Sequence, residues 1–393
     1  MERKIETVYE NLCVCAVFRA LTEKSLFKRF ERYCVAGNGL EKRKAYATFV
    51  GEIYETGGSL TELVKKLVFE DENAYVKAVA SKGRMDGNIR ASAERELSVL
   101  SSFASLTRAD FALDMGVAET ELPNFSSENA YLLPLYQERL ENIGKYGYGI
   151  FSASGMFRVL EDGEISPIVS ADTIDTGAFI GYEEEREKVL ANTRAFVEGK
   201  PAANALLCGD AGTGKSSTVK AVANAFFSEG VRLIELRKDQ LALLPAVMAK
   251  ISGNPLKFIL FIDDLSFNKN DDCFSMLKAA LEGSASVTAP NAVIYATSNR
   301  RHIVKESFSD RDGDDVHIND TLQETLSLSE RFGLVVYYSK PSKALYLEIV
   351  RGLAKKRGLQ TDEKELERSA EEFALRKGSR SARCAKQFVE SLS

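Results

Sequence analysis

An eight-residue loop, residues 209–216, reads Gly-Asp-Ala-Gly-Thr-Gly-Lys-Ser and limits the folds open to this 393-residue chain more than any other segment. It matches the pattern Gly-x-x-x-x-Gly-Lys-Ser/Thr at every position. An apolar segment, residues 205–208, precedes the loop, and a helical pattern over 215–228 follows it. This order of strand, glycine-rich loop and helix predicts a binding site for the phosphates of ATP or ADP, because loop amides and a helix N-terminus bind anions.

The residues of the loop have separate expected roles in nucleotide binding. Lys215 is expected to bridge the β- and γ-phosphates, and the Ser216 hydroxyl is expected to ligate Mg²⁺. The other positions contribute backbone amides and close backbone approach to the phosphates. The predicted nucleotide contacts in this region are Gly209, Asp210, Ala211, Gly212, Thr213, Gly214, Lys215, Ser216 and Ser217.

A second apolar run, residues 258–262, ends in Asp263 and Asp264. Parallel strands deliver side chains to ligands at their carboxyl ends. We therefore expect Asp263 to hold Mg²⁺ through water and Asp264 to orient or deprotonate the attacking water. An alternative role for Asp264 is to cap the loop that follows it.

The chain as a whole predicts four regions. Helical periodicity predicts an all-helical domain over 1–145, in which residues 86–106 form the longest helix candidate. A short β-hairpin and linker are expected over 146–176, a nucleotide-binding core over 177–340 and a helical region over 341–393.

Within the core, short apolar runs alternate with helical patterns. This alternation predicts right-handed crossovers and a parallel sheet that is covered on both faces, which is a three-layer α/β fold. The predicted strands are 205–208, 232–236, 258–262, 292–296 and 334–338, and the predicted helices are 215–228, 239–251 and 271–282.

Together these segments resemble the AAA+ ATPase superfamily over residues 172–393. The resemblance implies that Ile180 and Gly181, within the segment 179–182, contact adenine. It also implies that residues 293–300 form the strand called sensor 1, whose terminal polar residue contacts the γ-phosphate and the attacking water. Asn299 is the expected sensor 1 residue, with Thr297 as the alternative.

Two arginine-containing segments are also similar to AAA+ motifs. Residues 328–334 resemble the segment that presents an arginine finger to the neighbouring subunit, which assigns that role to Arg331. Residues 378–383 resemble the sensor 2 motif at the start of a lid helix, with Arg380 as the better positional match and Arg383 as the alternative. The implied protein is a homo-oligomer whose sites are completed in trans.

Within the superfamily, the chain resembles an uncharacterised bacterial single-module family known as a domain of unknown function (815). The segments that carry this resemblance are 258–267, 296–302 and the Asp-rich stretch before Arg331. That likeness implies an architecture and leaves the biological role open.

Other patterns are interpreted as structural. Alternate carboxylates over 310–315 start like a calcium loop, but Asp315 stands where glycine is needed. His302 and His317 are too isolated for a zinc site, and the six cysteines lack metal-site or disulfide spacing. Without 18 consecutive apolar residues, we expect no membrane span and a cytoplasmic location.

The expected function is Mg²⁺-dependent ATP binding and hydrolysis that remodels or loads an unknown client. A DNA-associated nucleotide switch, like replication initiators and helicase loaders, is the alternative, and a small-molecule kinase is a third class. The formal net charge of −5 gives no overall attraction to nucleic acid, although residues 340–393 are locally basic. Residues 237–244 lack the aromatic side chain of an unfoldase pore loop, which disfavours threading of a protein substrate.

Overall fold

The computed structural model describes residues 4–37, 39–81, 83, 85–168, 179–265, 277–278, 280–281, 289–299, 331–359 and 362–392. The chain divides into two compact units, Met1–Ala153 and Ser154–Ser393. Each unit contains its own buried apolar cluster.

In the described residues of the first unit the regular elements are helices, joined by loops and by one isolated β-bridge between Ser59 and Ser126. The predicted helix over 86–106 is observed as Gly87–Ala104, and the Asp86 side chain caps its first turn by accepting a hydrogen bond from the Asn88 amide at 2.7 Å. The helices are α1 (Lys4–Cys13), α2 (Arg19–Thr22), α3 (Ser25–Val35), α4 (Leu40–Glu55), α5 (Leu60–Glu70), α6 (Ala74–Ala80), α7 (Gly87–Ala104), α8 (Arg108–Met115), α9 (Leu132–Glu141) and α10 (Ile143–Tyr146).

Aromatic rings fill the centre of this helical unit. Phe30 lies 4.8 Å from Phe103 and 5.8 Å from Phe49, measured between ring centroids. Glu96 is buried beside this core, and its carboxylate accepts hydrogen bonds from the backbone amides of Ala16 and Phe18. A buried carboxylate is tolerated here because these amides, at the start of α2, satisfy its oxygens.

The second unit is built on a seven-stranded sheet. Its strands are β1 (Met156–Val159), β2 (Ile165–Pro167), β3 (Ala205–Gly209), β4 (Val231–Leu236), β5 (Lys257–Ile262), β6 (Ala292–Ser298) and β7 (Leu334–Tyr338). The spatial order is β2-β1-β4-β5-β6-β3-β7, and every neighbouring pair is parallel except β1 and β2. The predicted hairpin is formed by β1 and β2, and β1 also pairs with β4 and so extends the sheet.

Helices accompany this sheet and follow it. They are α11 (Glu183–Val197), α12 (Lys215–Ala225), α13 (Leu244–Ser252), α14 (Lys343–Lys356), α15 (Glu363–Lys377) and α16 (Ala382–Glu390). The region predicted as helix 239–251 begins with a 3-10 helix, Lys238–Leu243, before α13. The predicted helix over 271–282 lies outside the described residues apart from 277–278 and 280–281.

The sheet is covered on both faces. Alternate residues of a strand point to opposite faces, and five consecutive residues of β5, Phe258 to Ile262, are each fully buried. Helices α14, α15 and α16 enclose a separate apolar cluster around Tyr346, Ala370 and Phe388. The second unit is thus an α/β fold built on a mostly parallel sheet and followed by three helices in the region predicted as the lid, and the predicted α/β fold class is confirmed.

The strand order decides which side chains meet. Strand β6 lies between β3, which leads into the glycine-rich loop, and β5, which ends at the Asp pair. Because these strands are parallel, their carboxyl ends share one edge of the sheet. None of the helices in the described ranges has both the length and the apolarity needed to cross a bilayer.

Candidate functional site

The glycine-rich loop crosses from β3 to α12 in a backbone conformation that needs glycine. Gly209 has φ of +134°, and a Cβ there would lie 2.0 Å from the Tyr338 carbonyl oxygen. The same carbonyl accepts a hydrogen bond from the Asp210 amide at 3.2 Å. Gly212 has φ of +76° at the tip of the loop. Tyr338, the last residue of strand β7, therefore contacts and supports the backbone of the loop. The sequence motif did not indicate this residue.

Lys215 is the first residue of α12 and is 95% buried, with 5% of its surface exposed. Its ammonium donates hydrogen bonds to the carbonyl oxygens of Gly209 at 2.9 Å and Asp210 at 2.8 Å, and to Asn299 Oδ1 at 3.0 Å. Burial lowers the pKa of Lys215 below its usual value because the charged form loses hydration. A bound anion would favour the charged form and so oppose this shift.

Ser216 and Asp263 meet at the base of the loop. The Ser216 hydroxyl donates to Asp263 Oδ1 at 2.6 Å, and the Thr297 hydroxyl donates to the same oxygen at 2.5 Å. A hydroxyl and a carboxylate are the oxygen ligands that suit Mg²⁺, which uses few protein ligands when phosphate oxygens and water complete its octahedron. The donor set of Ser216 and Asp263 therefore fits the predicted magnesium site.

Asp264 lies beside Asn299 in an uncommon backbone conformation. Its φ is +53°, in the left-handed region that few residues other than glycine enter. Asn299 Nδ2 donates to Asp264 Oδ1 at 2.7 Å, and the Asp264 amide donates to Thr297 Oγ1 at 3.0 Å. Its carboxylate thus faces the end of β6, and Asn299 bridges Asp264 to Lys215.

Ile180 and Gly181 lie immediately before Tyr182 and helix α11. The Tyr182 ring packs against the Tyr338 ring with centroids 5.3 Å apart, and its hydroxyl donates to the Ser339 carbonyl at 2.7 Å. Since Tyr338 also supports the loop, the 179–182 segment lies near the predicted phosphate site. Ile180 packs against the apolar cluster of the lid helices.

The two sensor 2 candidates occupy different environments. Arg380 forms a two-pronged ion pair with Glu371, at 3.0 Å through Nε and 2.8 Å through Nη2. The Arg383 amide donates to the Gly212 carbonyl at 3.0 Å, and a Cβ on Gly212 would lie 3.1 Å from Arg383 Cβ. The structure thus brings Arg383 to the tip of the loop and engages Arg380 within the lid.

Arg331 lies before β7, at the other end of the sheet from the loop. In the register of β3 with β7, Ala205 is opposite Leu334 and Gly209 is opposite Tyr338. The path from Leu334 to Tyr338 is about 13 Å at the usual rise per strand residue. Arg331 is therefore not part of the cluster around Lys215.

Several sequence hypotheses concern segments outside the described residues. They are the acidic stretch 310–315, His302 and His317, and the part of the finger segment that precedes Arg331. The region without a pore-loop aromatic is described: Gln240 is buried there and donates to the carbonyls of Val159 and Leu160 at 3.0 and 3.3 Å. These contacts attach the segment after β4 to strand β1.

One family model matches nearly the same residues as this second unit. The family described as Protein of unknown function (DUF815) matches residues 153–393. Among solved structures, the RuvB Holliday junction branch migration motor of Thermotoga maritima is similar at 14% identity and a TM-score of 0.35, with 56% of this chain and 72% of that chain covered. A Lys-to-Arg mutant of that RuvB matches at 15% identity with the same coverage and TM-score. No curated protein matches the chain.

The family match spans more than half of the sequence. It includes the loop, the Asp pair, the Asn299 strand and the lid. The chain belongs to the DUF815 family.

Proposed function

We propose that the protein is a Mg²⁺-dependent ATPase of AAA+ type that couples its nucleotide state to the remodelling or loading of a client. The observation that carries this proposal is the continuous hydrogen-bonded series Lys215–Asn299–Asp264 beside the Ser216–Asp263 pair. In this proposal, the phosphate-binding lysine, the γ-phosphate contact, the carboxylate base and the magnesium ligands lie together at the carboxyl ends of the strands.

The side chains have distinct tasks in this proposal. Bound Mg²⁺ would neutralise charge on the β- and γ-phosphates. Lys215 exchanges its hydrogen bonds to the loop carbonyls for bonds to phosphate oxygens. Asp264 accepts a proton from the attacking water, and Asn299 orients that water and the γ-phosphate. Thr297 holds the Asp263 carboxylate in place, which favours Asn299 over Thr297 as the sensor 1 residue.

Arg383 is the better supported sensor 2 candidate. Its backbone is hydrogen-bonded to the loop at Gly212, whereas the Arg380 guanidinium is engaged by Glu371. The Arg383 side chain therefore starts next to the loop that is predicted to bind the phosphates. We therefore assign the phosphate-sensing role to Arg383 and a supporting role in the lid to Arg380.

We propose that Arg331 acts on the site of a neighbouring subunit. Its place at the opposite end of β7 separates it from the loop of its own chain. This separation is compatible with an arginine that stabilises the transferring phosphoryl group in the site of a second subunit. The active form is then a homo-oligomer, in which each site is completed by its neighbour.

A DNA-associated nucleotide switch is the alternative output. The observation that favours it is the excess of Lys and Arg over Asp and Glu in residues 340–393.

Threading of a polypeptide is not supported, because Gln240 fixes the segment after β4 to strand β1. The described cysteines are free thiols, which agrees with the proposed cytoplasmic location.

Nucleotide binding tests the proposal at its base. The wild-type chain is expected to bind a fluorescent ATP analogue in the presence of Mg²⁺ and to prefer ATP over GTP in competition. Lys215→Ala should remove this binding, while Lys188→Ala, which alters an exposed lysine on α11, should leave it unchanged. Equal binding by Lys215→Ala and the wild type would show that the assigned site is wrong.

A further inference from the structure

Gly352 stands inside helix α14, four residues before its last residue Lys356. Glycine destabilises a helix interior relative to alanine, because it loses more backbone freedom on folding. A Cβ at this position would lie 2.2 Å from Ile180 Cδ1 and 3.0 Å from Ile180 Cγ1. The Ile180 side chain thus occupies the space that an alanine methyl group would need.

At the next residue, Gly181, the roles are reversed: the glycine lies on the segment before α11, and the larger side chains lie on α14. Gly181 has φ of +79°, and a Cβ there would lie 2.6 Å from Leu345 Cδ1 and 3.7 Å from Ile349 Cδ1. Leu345, Ile349 and Gly352 lie four and then three residues apart and therefore share one face of α14. Ile180 fits over Gly352 while Leu345 fits over Gly181, and we call this reciprocal contact the interlock.

Tyr182, the next residue, contacts the sheet. Tyr182 bonds to Ser339 and packs against Tyr338, the edge-strand residue that supports the loop. Its φ is +60°, so Gly181 and Tyr182 are two consecutive residues in the left-handed region. The chain therefore turns sharply between a part that contacts the lid helix and a part that contacts the sheet.

We propose that the interlock makes Gly352 a positioning residue for the nucleotide. Ile180 and Gly181 pack against helix α14, and the chain turns at Gly181 and Tyr182 towards the core. Gly181 is also hydrogen-bonded to Glu183 and Arg186 of helix α11, so this segment joins the lid helix to the core. The base of the nucleotide is then held by Ile180 and Gly181, which contact the lid helix α14. Its phosphates are held by the glycine-rich loop at the carboxyl ends of the strands. This inference rests on the proposed function, in which Ile180 and Gly181 contact adenine.

Gly352→Ala tests the interlock because it displaces Ile180 without changing a residue of the nucleotide site. The gain in helix propensity offsets part of the packing that Ile180 loses, so the protein should remain folded at the assay temperature. The affinity for the fluorescent ATP analogue and for ADP should fall about tenfold, or 1.4 kcal/mol. Binding of inorganic tripolyphosphate, which has no base, should be unchanged in competition assays.

Two further variants separate the interlock from a general effect of alanine. Ile180→Val removes Cδ1, the atom nearest to the new methyl group, so Gly352→Ala combined with Ile180→Val should recover most of the lost affinity. Gly51→Ala is the matched control, since Gly51 is also inside a helix, α4, and a Cβ there meets no atom within 4 Å. Its nucleotide affinity should equal that of the wild type.

Two results would overturn the inference while leaving the proposed function intact. In the first, Gly352→Ala binds the ATP analogue as tightly as the wild type. In the second, it loses affinity for ATP and tripolyphosphate to the same degree, with no recovery on adding Ile180→Val. A wild-type chain that binds neither ligand would instead contradict the proposed function, and the inference with it.

Discussion

Asn299 donates a hydrogen bond of 2.7 Å from its side-chain amide to the carboxylate of Asp264. The two residues come from neighbouring strands, and Asn299 also accepts a hydrogen bond from Lys215 at 3.0 Å. An amide can make both contacts because it carries a donor and an acceptor on one planar group. Binding of phosphate by Lys215 would therefore alter the hydrogen bonding of the proposed general base, Asp264, through one intervening side chain, Asn299.

Asp264→Asn is expected to lower the rate of ATP hydrolysis by at least about 100-fold, because a general base contributes that much to proton transfer. Asparagine tolerates the left-handed conformation as well as aspartate does, so the fold and ATP affinity should be retained. Turnover and binding measured on the same preparation check both expectations. Asp239→Asn, at an exposed aspartate, is the control, and a hydrolytic rate unaffected by Asp264→Asn would refute the base assignment.

ATP affinity is expected to fall as the pH rises through an alkaline range that lies below the usual pKa of lysine. Burial lowers the pKa of Lys215 in the free protein, and a bound triphosphate favours its charged form. Above the free-state pKa, binding must take up a proton, so the dissociation constant should rise by up to tenfold per pH unit. Titrations across this pH range provide the measurement.

Lys215→Arg is the matched control for this pH dependence, because arginine stays charged throughout it. If that variant binds ATP, its affinity should be flat with pH. A wild-type affinity that is also flat up to the ordinary lysine value of 10.5 would contradict the buried-lysine explanation.

The two lid arginines are expected to behave differently. Arg383→Ala should reduce ATP turnover and leave the melting temperature unchanged, because the Arg383 side chain is exposed near the loop tip. Arg380→Ala should lower the melting temperature slightly and leave turnover largely intact, because it removes a bidentate ion pair that is partly exposed.

Glu371→Gln is the counterpart of Arg380→Ala and should lose at least as much stability, since it weakens the same ion pair and also the contact of Glu371 with Lys343 at 3.4 Å. Parallel thermal melts and turnover assays compare the variants. The assignment fails if Arg380→Ala abolishes turnover at full stability while Arg383→Ala is fully active.

Arg331→Ala is expected to lower turnover by roughly 1000-fold or more while preserving ATP binding, as for other arginines supplied in trans. Mixing it with Lys215→Ala protein should restore part of the activity, because some sites then combine an intact loop with a neighbour's intact arginine. The measurement is the rate of phosphate release across mixing ratios. Absence of any recovery, together with a monomeric ATP-bound protein, would argue against catalysis between subunits.

Local sequence patterns were sufficient to predict the strands and the loop. Runs such as 258–262 are apolar throughout, which is typical of strands buried on both faces, and β5 is observed at Lys257–Ile262. The rule that parallel strands present ligand contacts at their carboxyl ends predicted the role of the Asp pair, whereas Asn299 was assigned from the family resemblance. Those parts of the site depend on short-range information.

Contacts between distant segments were not predictable in the same way. Ile180 and Gly352 meet although they are 172 residues apart, and only the packed structure explains the glycine inside α14. The choice between Arg380 and Arg383 depends on the turn after α15. That turn brings Arg380 back to Glu371 within the helix. Pairing of β1 with β4 also lay beyond local patterns, because the hairpin motif does not specify its third partner.

Steady-state release of inorganic phosphate from ATP tests the central claim most directly. Purified wild-type protein should release phosphate with Mg²⁺ present and stop when EDTA removes the metal, and Lys215→Ala should release none under either condition. Phosphate release by Lys215→Ala at the wild-type rate, or no release by the wild type at concentrations that permit oligomerisation, would contradict the account.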